Sequence, residues 1–274
     1  AGLHELTGKY STAEQLYGRV LQTYRERLPP THPAIARTMN NLAAVYNRLG
    51  QSTLAAKLYR TVLKMQEESL GRDHPNIALT YNNLGYSLSA LRQYPEAEES
   101  FTHAIEIYEN SLPPNHPDLT RVVDNLAELY RFQGQFEKAE PLYLRALEAC
   151  EKTHPEHRDT ARTLNNLARM YQDQGQFEKA DQLSARSITI YDKLFEAVQP
   201  EFARCLSNRG GTNAALGEWT KAAELFDRSR RGRRTFVSHV LPALDLSEQR
   251  QFVRTQDTAD LFASLSLGLL QTSN

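Results

Sequence analysis

Met39, Leu42, Ala43 and Tyr46 fall three or four residues apart, and at about 100° per residue that spacing puts them on one stripe of a helix. Ala55, Tyr59, Val62 and Leu63 repeat the spacing further on. Two consecutive helices are therefore predicted, over roughly 33–49 and 53–69. Pro33 suits the first turn of the first helix, where a missing N–H costs nothing, and Gly50 and Gly71 suit the two C-terminal stops. Small Ala43 and Ala55 allow the pair to approach closely. One such hairpin cannot bury its own apolar stripe, so neighbours must stack, and the expected product is an all-α solenoid of antiparallel hairpins with polar caps at its ends.

The rest of the chain repeats this unit. His-Pro occurs at His32-Pro33, His74-Pro75 and His116-Pro117, 42 residues apart, and again at His154-Pro155 after a shorter step. Eight residues beyond the first three prolines stand Asn41, Asn83 and Asn125, and the series runs on to Asn166 and Asn208 in steps of 42, 42, 41 and 42. Each unit then has a glycine or polar break, an aromatic and an alanine, as in Gly134-Gln135-Phe136-Glu137-Lys138-Ala139 and Gly217-Glu218-Trp219-Thr220-Lys221-Ala222. The first helix (A) of five full hairpins is expected to begin near Pro33, Pro75, Pro117, Pro155 and Pro200, and the last second helix (B) to cover about 220–237. Gly8-Lys9-Tyr10-Ser11-Thr12-Ala13 has the same pattern, which implies an opening hairpin cut in its first helix. The cut would leave Leu3 and Leu6 without their usual neighbour, so fraying or self-association is expected there. The resulting division is an array over 1–237 and capping or linker helices over 238–274.

Composition changes this picture little. The chain has 274 residues, 24% charged and 40% hydrophobic, with a formal net charge of -1, so any charge-led recognition must be local. Cys150 and Cys205 lie far apart with no CxxC pair, which argues against a disulfide framework or a zinc site and fits a reducing cytoplasm. No apolar run is long enough to span a membrane, and residues from Ala1 onward lack the basic then apolar pattern of a signal peptide. Because the first residue is Ala1 and not Met, a fragment is expected.

The run Leu-Asn-Asn-Leu-Ala at 164–168, followed by Tyr171, Gly175, Phe177 and Ala180 and preceded by His154-Pro155, resembles the 42-residue tetratricopeptide repeats (TPR) of kinesin light chains. The resemblance covers about residues 1–230 and implies a right-handed superhelix with the A helices lining its concave face. The last unit departs from it: Arg209 stands where earlier units have Leu84, Leu126 and Leu167, and Pro200 lacks its His, which marks a degenerate cap. Beyond it, Val240-Leu241-Pro242-Ala243-Leu244 and Ser247-Glu248-Gln249-Arg250-Gln251-Phe252-Val253 admit two readings. Ser247 as an N-cap, with Phe252, Val253, Leu261, Phe262, Leu265 and Leu269 as apolar faces, makes two short helices covering the last repeat. The stretch also resembles the junction in bacterial TPR-CHAT proteins, where such repeats lead into a caspase-like protease; the chain lacks that protease's His and Cys and would itself be inactive.

The A-helix face opposite the apolar stripe carries the chemistry. Arg37, Asn40 and Asn41 lie there in the first full unit, then Asn82 and Asn83, then Arg121, Asp124 and Asn125, then Arg162, Asn165, Asn166 and Arg169, then Arg204, Ser207 and Asn208. Each Arg of the row precedes its Asn by four residues, one turn away, except in the second unit, where Leu79 takes its place. Asn costs roughly 0.5 kcal/mol against Ala inside a helix, so five copies need compensation. Either the amides clamp the backbone of an extended peptide while Arg selects carboxylates, or each Asn bonds to the neighbouring repeat and fixes the stacking. In kinesin light chains the equivalent groove receives acidic, aromatic-containing peptides, and the resemblance implies the same here.

The His-Pro sites have no second ligand at helical spacing, which reads as a loop-to-helix feature and not a metal ladder; no metal or cofactor is expected. No phosphate loop, nucleophile elbow, zinc-protease motif or paired Cys occurs, so no catalysis is expected. Arg228, Arg230, Arg231, Arg233 and Arg234 could touch phosphate or RNA, but the cluster is short and has little aromatic interleaving, and a solvated helix end or domain contact explains it better. Three functions stand in order: an adaptor binding a peptide or partner protein in its groove, the sensor arm of a CHAT protease lying beyond residue 274, and nucleic-acid binding through the Arg cluster.

Overall fold

The computed structural model describes residues 10–195 and 199–240, which hold eleven α-helices and, among the described residues, no strand. They are α1 (Tyr10–Arg27), α2 (Pro33–Arg48), α3 (Ser52–Leu70), α4 (Pro75–Ala90), α5 (Tyr94–Ser111), α6 (Pro117–Phe132), α7 (Phe136–Thr153), α8 (Arg158–Asp173), α9 (Phe177–Leu194), α10 (Pro200–Ala215) and α11 (Trp219–Val240). The even-numbered helices are the A helices. The expectations on Leu3, Leu6, Gly8 and Lys9, and on the stretch from Leu241 through Ser247, Phe252 and Leu269, lie outside the described residues.

The chain divides into two compact units. In the first, which includes α1, α2 and α3 as far as Met65, the predicted stripes form the core. Met39 and Leu42 pack with Leu21, Ile35 and Val62, and Tyr17 and Tyr46 flank them. Ala43 and Ala55 are fully buried, as close helix approach requires.

The second unit, Gln66–Phe236, contains the hairpins α4–α5, α6–α7, α8–α9 and α10–α11. Its central core is built from Ala127, Tyr143, Leu147, Leu164, Leu167, Met170 and Ala180, so each hairpin buries its stripe against the next. Within a hairpin, a small A-helix residue sits under a B-helix ring. Gly85 is the tightest case: a Cβ there would come within 2.8 Å of the buried Phe101 ring. Gly210 repeats the arrangement under Phe226, where a Cβ would lie 3.0 Å from the ring.

The turns explain the glycine punctuation. Gly134, Gly175 and Gly217 hold φ of 70°, 74° and 78° after their A helices, in the left-handed region. After α4 the same turn is made by Arg92 at φ 59°.

Histidine starts the A helices. The ring nitrogen Nδ1 of His74 accepts the backbone N–H of Asn76 at 3.1 Å and that of His116 accepts from Asp118 at 3.2 Å, which satisfies donors that the helix start leaves unpaired. The fourth A helix departs from the expected start at Pro155. It begins at Arg158 and its cap is His157, which accepts from Asp159 N at 3.3 Å. His154 instead ends α7, and its carbonyl accepts the Thr160 hydroxyl at 2.7 Å. The physical reason is the 41-residue step of the Asn series: 116 plus 41 is 157, so His154-Pro155 is one loop residue pair that only resembles the cap. The fifth A helix has Gln199 at the cap position with no side-chain hydrogen bond.

Successive A helices of this unit pack directly, α4 on α6, α6 on α8 and α8 on α10. Successive B helices are tied by long charged side chains: Arg145 to Glu109 at 2.7 Å, Arg186 to Glu151, and Arg228 to Asp192.

Candidate functional site

Helical geometry puts residues 79, 83, 86 and 90 of α4 on one face, and the repeat puts 121, 125, 128 and 132 of α6, 162, 166, 169 and 173 of α8, and 204, 208, 211 and 215 of α10 in register with them. The Asn series of the second unit lies along this face and is tied from helix to helix. Asn125 donates through Nδ2 to Asn82 Oδ1 at 2.8 Å, Asn166 donates to Asp124 Oδ2 at 3.0 Å, and Asn208 donates to Asn165 Oδ1 at 3.2 Å. Asn82 in turn donates to Asn83 Oδ1 at 3.3 Å. In each rung the later repeat donates and the residue just before the preceding repeat's Asn accepts. Asn82, Asp124, Asn165 and Asn166 are buried, whereas Asn83, Asn125 and Asn208 keep partial exposure. In the first unit Arg37 is exposed, Asn41 is half-buried, and Asn40 has a buried Oδ1 with no partner among the described residues.

The arginines are mostly compensated within the protein. Arg121 pairs with Asp118, three residues earlier on α6. Arg162 reaches back to the fully buried Asp124 and lies 3.9 Å from Asp159, three residues before it. Such a buried pair contributes little net stability, but loss of either partner strands the other charge. Arg169 donates to Glu128 Oε1 at 3.1 Å. That carboxylate is shared: Arg131 donates to it at 2.8 and 2.9 Å and the Tyr143 hydroxyl at 2.6 Å, while Arg131 also holds Asp173. Burial pushes the Glu128 carboxyl up, but hydrogen bonds and charge from Arg131, charge from Arg169 and the Tyr143 bond outweigh it and hold the pKa below the usual carboxylate value. Arg204 is exposed, and among the described residues no carboxylate pairs with it. The acid three residues before it, Glu201, turns to Arg158 of α8 at 3.4 Å.

Two residues escaped the periodic reading. Tyr86 is 58% and Phe132 56% exposed, and both belong to the face just described. The register position of Tyr86 holds Glu128, Arg169 and Gly211 in the following repeats, so nothing recurs there for a search by period to find. Exposure of two aromatic rings on one face is the only signal, and it needs the fold.

The remaining candidates are occupied structurally. Arg228 pairs with Asp192 and lies over the Phe202 ring at 5.0 Å, Asp227 takes both Arg230 and Arg231, and Arg233 bonds Ser207 at 3.3 Å, so four of the five arginines are held by side chains of the protein itself. Burial pushes the Cys150 thiol up and that of Cys205 up to about 11, which removes the thiolate at neutral pH. No helix among the described residues is long and apolar enough to cross a membrane.

The BtubC (BKLC) structure from P. vanneervenii has a TM-score of 0.65 to this chain at 22% identity, covering 86% of this chain and 92% of that one. The nearly identical TPR-like repeats of a Podosopora anserina kinesin light chain give 0.61 at 26% identity, over 75% and 98% of the two chains. Aspartyl phosphate phosphatase F from Bacillus subtilis gives 0.60 at 13% identity, over 80% and 64%, which is a likeness of fold alone. No curated protein matches the chain. The tetratricopeptide repeat model matches residues 1–68, 34–110 and 118–193. With hairpins of that construction stacked in order and more than half of its length matched, the chain belongs to the tetratricopeptide repeat family.

Proposed function

We propose that the A-helix face of the second unit holds an extended segment of a partner protein, and that the chain works as a non-catalytic scaffold. The observation that carries this reading is the exposure of Tyr86 and Phe132 at 58% and 56% on that face. The Arg131 guanidinium lies over the Phe132 ring at 4.5 Å, yet more than half of each residue still meets water, and each can contribute about 1–2 kcal/mol when a partner covers it. Direct packing of the A helices, against charged links between B helices, makes the A layer the tighter one and supports its lying on the inner side of the curve. Half-exposed Asn83 and Asn125 beside the rings retain amide capacity for a peptide backbone. TPR proteins are in general protein-binding scaffolds, which agrees.

The test uses peptides selected on the whole chain from a random phage-displayed library. Against Tyr86→Ala combined with Phe132→Ala, binding is expected to weaken at least about tenfold, with the melting temperature within a few degrees of the parent, because both side chains are already exposed. Undiminished binding to the double variant sinks the proposal.

A further inference from the structure

The charged ties between B helices keep the period of the repeat. Arg145, Arg186 and Arg228 stand six residues after Ala139, Ala180 and Ala222. Each pairs with an acid of the preceding B helix, Glu109, Glu151 or Asp192, and these stand twelve residues after Ala97, Ala139 and Ala180. The same count from Ala55 and Ala97 reaches Glu67, in the last turn of α3, and His103 of α5. One tie of the ladder therefore has an imidazole where the others have a guanidinium. The position is no more sheltered than its counterparts, since the side chain of His103 is 46% exposed against 44% for Arg145 and 40% for Arg228.

The surroundings change together with the residue. On its own helix His103 lies between Glu99, 3.7 Å from Nε2, and Glu106, 3.4 Å from Nδ1. The same two positions hold Pro141 and Glu148 around Arg145, Gln182 and Thr189 around Arg186, and Glu224 and Arg231 around Arg228, so only the histidine has an acid on both sides. From the neighbouring A helix, α4 presents half-buried Tyr81 where the other A helices bury Met39, Val123, Leu164 and Leu206. The Tyr81 ring centroid lies 5.3 Å from that of His103, and its hydroxyl donates to Glu67 Oε1 at 3.3 Å, so it holds the acid that an arginine holds elsewhere. Burial first, then Glu67 and Glu99, push the Tyr81 hydroxyl up against the pull of Arg72, as expected where carboxylates outnumber cations. On the side of α7, the Arg145 guanidinium is taken by Glu109.

We infer that His103 is a proton-dependent tie: charged, it stands in for the ladder arginine and draws α5 to the last turn of α3; neutral, it leaves the carboxylates of Glu67, Glu99 and Glu106 without that charge. The turn concerned, from Gln66 onward, belongs to the second unit and is attached there by the Thr80 hydroxyl, which donates to Gln66 at 2.8 Å, and by that of Tyr81. An imidazole exchanges its proton between about pH 5 and 8, a range in which glutamates stay ionised and arginines stay charged. Carboxylates attract only its charged form, so this tie is present at the acid end of the range and is lost as the pH rises. The arginine ties hold at both ends.

The test is thermal unfolding of the whole chain beside His103→Gln and His103→Arg, at about pH 5.5 and about pH 8 in low salt. Other histidines titrate in the same range, so the quantity read is the difference between variants at one pH. At the acid pH, His103→Gln should lower the midpoint by about 1–3 °C while His103→Arg leaves it in place. At the alkaline pH, His103→Gln should change nothing and His103→Arg should raise the midpoint by about the same 1–3 °C. The acid-side loss should shrink when salt is added, and again when Glu67→Gln is already present. A loss that is equal at the two pH values overturns the inference. So does an acid-side loss that Glu67→Gln leaves untouched, because the proton would then serve α5 alone.

Discussion

The middle of the second unit and its last hairpin follow one backbone plan and differ in how their charges close. Around α6 and α8, Asp124 and Glu128 are buried or nearly so: Asp124 gathers Arg162 and Asn166 from α8, and Glu128 gathers donors from α6, α7 and α8. In α10, Ser207 and Gly211 stand at the positions of these acids, Arg209 replaces the usual leucine and reaches out to Asp181 at 2.8 Å, and Gln199 replaces the capping histidine. The comparison teaches that a repeat protein can spend the polar face of one hairpin on stacking and leave an arginine of the next without a carboxylate, with no change of helix geometry.

The most damaging way to break the comparison is Asp124→Ala. It leaves Arg162 and Asn166 facing a buried void, and a loss of about 3–5 kcal/mol is expected, read as a chemical-denaturation midpoint shift with unchanged slope. Ser207→Ala, its counterpart in α10, should cost under about 1.5 kcal/mol, since the hydroxyl pair with Ser229 and a 3.3 Å bond from Arg233 are lost but no buried charge is stranded. Equal costs would show that the middle is not closed in the way described.

A smaller effect separates the two glycines that sit under rings. Alanine is the better helix former by about 1 kcal/mol, so space decides the sign. At Gly85 the Phe101 ring is 2% exposed and cannot retreat, and Gly85→Ala should destabilise by about 1–2 kcal/mol. At Gly210 the Phe226 ring is 43% exposed and can swing outward, so Gly210→Ala should fall within about 0.5 kcal/mol of the parent. Thermal denaturation of the two variants side by side checks this, and the same loss at both sites would count against it.

The fold was legible because its signals recur. Pro33, Pro75, Pro117 and Pro200 marked four of the five A-helix starts, and Gly134, Gly175 and Gly217 marked the turns, since only a left-handed residue fits there. His154-Pro155 misled because a dipeptide is a weaker ruler than a series, and the 41-residue step that identifies His157 was already visible in Asn166. The site was less legible. Asn-Asn at 82–83 and 165–166, and Asp-Asn at 124–125, hint at the rungs, yet nothing in the chain says that Arg162 meets an acid 38 residues back, a separation that is not a repeat length. Side-chain length, and not period, sets that contact. Tyr86 and Phe132 stayed hidden because exposed positions that no neighbouring repeat packs against are free to vary between repeats.

The mildest change sharpens the comparison by making the last hairpin resemble the others. Gln199 has φ −80° and ψ 162°, close to the −97° and 157° of His157. Gln199→His should therefore supply the missing cap and stabilise by about 0.5–1 kcal/mol, visible as slower amide exchange in the first turn of α10. Exchange that stays at the parent rate would show that the histidines do not cap through their rings.

The rungs of the A layer have a sense of direction. Asn125, Asn166 and Asn208 all donate toward the earlier repeat, so hairpins can join only head to tail, like links of a chain with a hook at one end and an eye at the other. The links are nevertheless not interchangeable parts. Excision of residues 117–157 would bring α8 up against α4 with its hook intact, Asn166 meeting Asn82, but Arg162 would find an amide where it had the Asp124 carboxylate. Recombination between repeats of this chain is therefore policed by charge and not by length, and duplications that keep Asp124 just ahead of Arg162 are the ones expected to fold.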